Sequence, residues 1–200
     1  MDTEDTQFNG IDVQQPLHRP ETESLSIIIV GAGLGGLGAA IALLLAGHDV
    51  HVLESASQIA EVGAGIQILP NSARVLIQWG LGPRLARLAT IPEKVVMLGW
   101  KGNIITDHDF EAAAKEYGAP FWDFHRADLH GALLDRAQEL GATWQTNSRV
   151  VDIDTSHPDL ATVTLASGAR MTADLVVGAD GIFSRCREIM LSAPSPPTCF

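Results

Sequence analysis

The feature that most constrains this 200-residue chain is Gly31-Ala32-Gly33-Leu34-Gly35-Gly36, a GxGxxG run set between two strongly apolar segments. Ahead of it, residues 26–30 (SIIIV) are short, apolar and β-branched, as suits a strand buried in a parallel sheet. Behind it, 34–46 reads as a helix, and Gly47 stands where a helix commonly ends in the left-handed conformation. A second strand follows at 49–53 (DVHVL). The spacing predicts strand, glycine turn, helix and strand within residues 26–53, a unit whose crossover is right-handed.

In such a unit the three glycines serve different purposes. The first allows the tight turn, the second lets the backbone approach a pyrophosphate, and the third lets helix and strand pack closely. The free N–H groups and the dipole at the helix start favour an anion there. Glu54 closes the second strand, 23 residues after Gly31. An acid at that place hydrogen-bonds the ribose hydroxyls of an adenine nucleotide and repels a 2′-phosphate. Gly31, Gly33, Gly36 and Glu54 therefore predict a site for FAD or NAD rather than NADP. The competing reading is a glycine-rich helix–strand contact with Glu54 merely exposed.

Residues 25–47 run for 23 positions without a charge, long enough to imitate a membrane span. Five glycines crowd the middle of that run, which favours strand, turn and helix over one long helix. The segment before it is acidic, unlike the basic start of a signal peptide. The chain is thus expected to have no integral membrane segment, and the cytoplasm is the default location. Its net charge of −11 comes without a basic patch, so nucleic acid is excluded as a partner. Two cysteines, Cys186 and Cys199, make neither a disulfide framework nor a zinc site. His125, Asp128 and His130 do not share a helix face, and no metal site is expected from them.

Residues 1–24 are polar and acidic and read as a mobile tail. Residues 61–69 are glycine-rich and suggest an irregular connection, followed by helices at 70–79 and 83–89. Segments 95–100 and 103–107 form a hairpin pattern around Lys101-Gly102, and 126–140 is an amphipathic helix. Short strands are expected at 143–145, 149–154, 161–165, 170–172 and 175–177, then a helix over 184–191 and an irregular end over 192–200. The four tryptophans, Trp79, Trp100, Trp122 and Trp144, are spaced like core residues. The fold class expected is α/β. Strands 26–30, 49–53, 143–145 and 175–177 form a Rossmann-like parallel sheet with flanking helices, and 149–165 begins a small antiparallel meander. No GxSxG, HExxH or P-loop run is present.

Two further segments decide between FAD and NAD. One is Phe124-His125-Arg126-Ala127-Asp128-Leu129; the other is Gly178-Ala179-Asp180-Gly181 directly after an apolar strand. With the glycine run, Glu54, and Glu61-Val62-Gly63-Ala64-Gly65-Ile66 before Pro70-Asn71-Ser72, they give four motifs in order over residues 25–190. On these the chain resembles the FAD-dependent aromatic hydroxylases, the single-component flavin monooxygenases, and within them the salicylate-hydroxylase-like branch common in fungi.

The resemblance implies that Gly31, Gly33 and Gly36 cradle the FAD pyrophosphate and that Glu54 binds the adenosine ribose. It implies that the loop ending at Gly65 passes beside the flavin, and that Arg126 contacts the ribityl–pyrophosphate region. Asp180 with Gly181 matches a motif that lies against the pyrophosphate and is linked to nicotinamide nucleotide use. A surface ion pair for Arg126 and a plain turn for Asp180-Gly181 are the alternatives. The activity implied is hydroxylation of a small aromatic substrate with oxygen and NADH or NADPH as transient reductant. No residue is assigned as catalytic, and the substrate, the reductant and the oligomeric state are not specified. Members of that family continue past the Asp-Gly motif, so the expectation is an incomplete FAD-binding domain over 25–191, an N-terminal fragment or truncated product. Strands of the substrate side would begin within about 91–124. The alternative is a non-catalytic remnant that at most binds FAD or an ADP-like ligand.

Overall fold

The computed structural model describes residues 10–59 and 63–197. In chain order its elements are β1 (Ser26–Val30), α1 (Leu34–Leu45), β2 (Asp49–Leu53), β3 (Gly65–Ile68), α2 (Pro70–Gln78), α3 (Gly82–Leu88), β4 (Lys94–Leu98), β5 (Ile104–Asp109) and α4 (Phe110–Tyr117). They continue as β6 (Trp122–His125), α5 (Arg126–Glu139), β7 (Thr143–Gln145), β8 (Val150–Asp154), β9 (Ala161–Leu165), β10 (Arg170–Ala173), β11 (Leu175–Gly178) and α6 (Arg185–Leu191). The chain forms two compact units, Gln15–Glu61 with Leu133–Phe200, and Met1–Gln14 with Val62–Ala132.

The unit containing the glycine run is built on a four-stranded sheet of order β11-β1-β2-β7, with all neighbours parallel. The central place of β1 follows from its sequence, since Ile27, Ile28, Ile29 and Val30 are all buried. A strand without a polar face is stable only when covered on both sides. The start of β1 is fastened to the start of β11 through Asp174, whose carboxylate accepts the Ser26 N–H at 2.7 Å and the Ser26 hydroxyl at 2.8 Å. Helix α1 packs on β1 and β2, and its far end stops at Gly47 with φ +84°. A Cβ at Gly47 would lie 2.5 Å from the Leu17 carbonyl oxygen, so glycine is required there by contact as well as by conformation. Residues 15–24 have neither helix nor strand, and Leu17 N–H donates to Leu45 O at 2.8 Å.

Strands β10, β9 and β8 form the antiparallel meander, in which Val163 is fully buried. It shares one core with Ile28, Val30, Leu53 and Cys186. The expected strand at 175–177 is present but not buried, since Leu175 is 43% exposed. The reason is its place at the sheet edge, where one side has no neighbouring strand among the described residues.

The second unit holds the β4–β5 hairpin, the antiparallel pair β3–β6 and helices α2, α3 and α4. Trp122 is fully buried, and Phe110 stacks on Phe121 with ring centroids 3.9 Å apart. Three sequence expectations are corrected here. Gly65–Ile68 is strand β3 rather than irregular, because β6 supplies its partner across Gly65↔His125 to Ile68↔Trp122. Residues 60–62, including Glu61 and Val62 of the motif, lie outside the described residues. Helix α4 was not anticipated; the Asp109 side chain caps it by accepting the Ala112 N–H at 2.8 Å, and Gly118 ends it at φ +66°. Trp100 is not a core residue but 92% exposed, because the hairpin turn runs from Gly99 to Asn103 and points its ring outward beneath Lys101. Among the described residues no helix is long and apolar enough to cross a membrane.

The central strand supplies a stability test. Ile29 has no exposed surface, and Ile29→Ala is expected to lower the unfolding free energy by about 2–5 kcal/mol, read as a shift in the urea midpoint. A loss below about 1 kcal/mol would show that β1 is not packed on both faces.

Candidate functional site

The C-terminal ends of the parallel strands β1, β2 and β11 converge on one cleft of about 280 Å³. Its lining includes Gly31 and Gly33 after β1, Glu54 after β2, Arg149 at the start of β8, and Asp180 and Gly181 after β11. The chain leaves β1 for β2 on one side, while β11 returns on the other. Open parallel sheets bind ligands at this kind of reversal, outside the strand ends.

The turn from β1 into α1 is the tightest part. Gly31 takes φ +105°, and a Cβ there would lie 2.4 Å from the Ala179 carbonyl oxygen. A Cβ on Gly36 would lie 1.9 Å from Gly31 O, closer than any carbon can approach. Gly33 is the N-cap of α1 in an extended conformation, with no side chain to occupy the helix start. No acidic residue sits in the first turn of α1, so its positive end is left uncompensated by the helix itself. The turn is held by Gly31 N–H donating to Leu53 O and Ala179 N–H donating to Val30 O, each at 2.8 Å.

Glu54 is half-buried and its carboxylate is oriented by the backbone. One oxygen accepts the Ala32 N–H at 2.9 Å, and the other accepts the Ala56 N–H at 2.7 Å and the Ser55 hydroxyl at 3.1 Å. Burial pushes this carboxyl up, but the hydrogen bonds from Ala56, Ala32 and Ser55 outweigh it and hold the group below the usual carboxylate range. The oxygen that accepts from Ala32 retains acceptor capacity for a further donor.

Asp180 and Gly181 reach the same cleft, but the carboxylate of Asp180 is turned toward α6. It accepts the Ser184 hydroxyl at 2.5 Å and the N–H groups of Arg185 and Cys186 at 2.6 and 3.0 Å. Ser184 in turn caps the helix by accepting the Arg187 N–H at 3.0 Å. Burial pushes Asp180 up, yet these donors keep it below its ordinary value. Gly181 has φ +78°, which lets the chain turn from the strand end to the helix. Cys186 beneath it is pushed up to about 12 by burial and by the Asp180 charge, so its thiol stays neutral and unreactive. A Cβ at Gly178 would lie 2.7 Å from the Cys186 Cβ.

Six of the eight residues singled out from sequence thus belong to one unit, and five of them (Gly31, Gly33, Glu54, Asp180 and Gly181) line its cleft, with Gly36 packed behind Gly31. Gly65 and Arg126 belong to the other unit, where they adjoin. Gly65 pairs with His125, and Arg126 N–H donates to Ala64 O at 2.8 Å where α5 begins. The space around Gly65 is open, while a Cβ on Gly63 would meet His125 Nε2 at 2.5 Å. No motif marks Ser148 and Arg149, which line the cleft because Asn147 and Ser148 N–H groups donate to the Ala56 and Glu54 carbonyls.

Fold and cleft together define a nucleotide-binding βαβ unit. A cradle that a Cβ would fill, the N–H donors of a bare helix N-terminus and an acceptor acid at the end of β2 are the features that an adenine dinucleotide site requires. The chain belongs to the FAD binding domain family, whose model matches residues 24–193. Among curated relatives it is 39% identical over 181 residues to FAD-dependent monooxygenase OpS4 of Beauveria bassiana (strain ARSEF 2860), covering 87% of this chain and 42% of that one. It is 40% identical over 174 residues to hispidin-3-hydroxylase of Neonothopanus nambi, covering 84% and 40%. The structure also matches the tetrameric form of 2-methyl-3-hydroxypyridine-5-carboxylic acid oxygenase, with a TM-score of 0.73, 32% identity and coverage of 84% and 42%. The chain therefore spans only about two fifths of the length of these relatives.

The Asp180 cap yields a pH-dependent test. Its folded value lies below the ordinary one, so its stabilisation is present above about pH 4 and is lost as pH falls through the folded value. Asp180→Ala is expected to cost about 1–3 kcal/mol at pH 7, with the gap to the parent narrowing toward pH 3. Urea unfolding at both pH values measures it; a gap that is constant with pH would contradict the capping role.

Proposed function

We propose that this chain carries the FAD-holding part of a flavin monooxygenase that hydroxylates a small aromatic substrate with oxygen and NADH or NADPH. The observation that carries the reading is the contact at Gly36, where the cradle has no room for a side chain and opens onto the start of α1. The relatives support the reaction class, since they are named as a monooxygenase, a hydroxylase and an oxygenase of a pyridine carboxylic acid.

The residues fit the cofactor as follows. Gly31 and Gly36 let α1 begin against the end of β1, so that the N–H groups of its first turn face a pyrophosphate. Gly33 keeps that approach clear. Glu54, already ionised and oriented, accepts from the ribose hydroxyls and opposes a 2′-phosphate at this cleft. Asp180 sets the path of the chain past Gly181 by capping α6, and the backbone around Gly181 forms the opposite wall. Arg126, a permanent cation, and Gly65, around which the space is open, are assigned to the cofactor by the family resemblance alone. When bound, FAD supplies hydride acceptance and oxygen activation, which no side chain can provide.

A direct test titrates FAD into the 200-residue chain and follows flavin fluorescence. Saturable binding is expected. Glu54→Ala is expected to weaken it about tenfold, which corresponds to about 1.4 kcal/mol. Gly36→Ala is expected to abolish it, with circular dichroism confirming that Glu54→Ala at least remains folded. A folded parent chain that does not bind FAD would overturn the reading.

A further inference from the structure

The β4–β5 hairpin concentrates exposed apolar residues that the cofactor reading does not use. Successive residues Val95, Val96, Met97 and Leu98 of β4 are all exposed, Met97 by 56% and Leu98 by 59%. Neighbouring residues of a strand point to opposite faces, so both faces of β4 are open. Ile104 and Ile105 of β5 are exposed as well, and Trp100 stands out from the turn. Among the described residues the two strands pair only with each other. Helix α4 adjoins the open end of the hairpin, where the Phe110 N–H donates to Glu93 O at 2.9 Å, but it leaves these side chains uncovered. A two-stranded ribbon open on both faces is marginal in water, and its edges invite another strand.

The two edges differ in what they admit. The β5 edge carries Asp107 and Asp109, and two such edges side by side would bring like charges together. β4 (KVVML) has no acid and no proline, and its single charge, Lys94, stands at the end. In a chain of net charge −11, two copies approach with least repulsion where neither carries an acid. β4 is also complementary to itself. Paired antiparallel about a two-fold axis at Val96, it sets Val96 against Val96 and Val95 against Met97 of the other copy. Lys94 then faces Leu98 rather than a second lysine. The same register carries the turn of each hairpin alongside residues 91–93 of the other, so that exposed Trp100 meets Ile91 and Pro92, and Lys101 stands beside Glu93.

We propose that the free edge of β4 is an interaction surface whose occupant is a second copy of this chain, giving a four-stranded antiparallel sheet of order β5-β4-β4-β5. Taking ~200 Å² for a tryptophan and part of an aliphatic side chain at each other position, the pairing buries on the order of 500 Å² per copy. That total of about 1,000 Å² is the floor for a specific association, so the dimer forms in the micromolar range. The β5 edges left outside carry their aspartates, which stop the sheet from growing.

The test measures the mass of the 200-residue chain by sedimentation equilibrium between about 1 and 200 µM, beside Val96→Lys, Trp100→Ala and Met190→Lys. Reducing buffer keeps a Cys199 disulfide from imitating the dimer. The parent is expected to rise from the mass of one copy toward that of two. Val96→Lys sets two ammonium groups against each other at the axis and is expected to weaken the dimer by more than about tenfold. Trp100→Ala is expected to weaken it about tenfold. Met190→Lys alters an exposed residue of α6 in the other unit and is expected to change nothing. Circular dichroism reports whether Val96→Lys is folded; if it is not, Trp100→Ala, a change to an exposed turn residue, decides. A folded parent that stays single at the highest concentration would overturn the proposal and leave the hairpin to the further length that the relatives have. A dimer as strong in folded Val96→Lys and in Trp100→Ala as in the parent would overturn it by placing the interface elsewhere, as would a dimer lost in Met190→Lys. Growth past two copies would overturn the two-fold pairing.

Discussion

Everything at the cleft depends on how closely α1 approaches the end of β1. A methyl group at position 36 would overlap the Gly31 carbonyl oxygen at 1.9 Å, and one at position 31 would overlap the Ala179 carbonyl at 2.4 Å. Three chain segments therefore meet at distances that only bare α-carbons allow: the strand–helix turn, the helix and the end of β11. The third comes from nearly 150 residues further along, so the cradle is not a local motif that folds by itself. It exists only when β11 has paired with β1 in the register Ile27↔Leu175 to Val30↔Gly178, which the Asp174–Ser26 hydrogen bonds help to fix at the opposite end. Sheet assembly and site assembly are one event.

This explains which parts were legible in the sequence. Strand β1, helix α1 and strand β2 carry signals that act within a few residues: a fully apolar run, a glycine turn and a glycine stop. The parallel partner at 175–178 was legible because it is apolar and runs into Gly178-Ala179-Asp180-Gly181, although Leu175 is exposed. Strand β3 was not legible. Its four residues, GIQI, are strand only because β6 lies opposite, and that partner is about sixty residues away. Helix α4 did carry local marks, the Asp109 cap and Gly118, but a polar β5 running straight into Phe110 left no gap to read. Trp100 shows the limit of spacing arguments: a large apolar ring looks like core until the turn that carries it is known.

The candidate site divides in the same way. The glycines and Glu54 are read from pattern because their roles follow from backbone geometry. The orientation of Asp180 is not, since its three hydrogen-bond donors come from the N-cap and first turn of α6, whose start could be placed only to within a residue or two. Ser148 and Arg149 have no pattern at all. They reach the cleft through the bonds from residues 147 and 148 to residues 56 and 54.

The charge of the chain gives the cleft its logic. At −11 the molecule repels anions at long range, and its cradle presents no lysine. A diphosphate placed there would be met by peptide N–H groups and the uncompensated end of α1, donors that neither titrate nor move. Glu54 fits the same design. Its negative charge is fixed by N–H groups of Ala32 and Ala56 rather than by a cation, and one of those donors belongs to the glycine turn itself. The acid thus braces the turn that it stands beside, so the residue expected to select the ribose also holds the phosphate cradle in shape. Losing Glu54 would remove both effects together, and the two can be separated only by a ligand that lacks one of the groups.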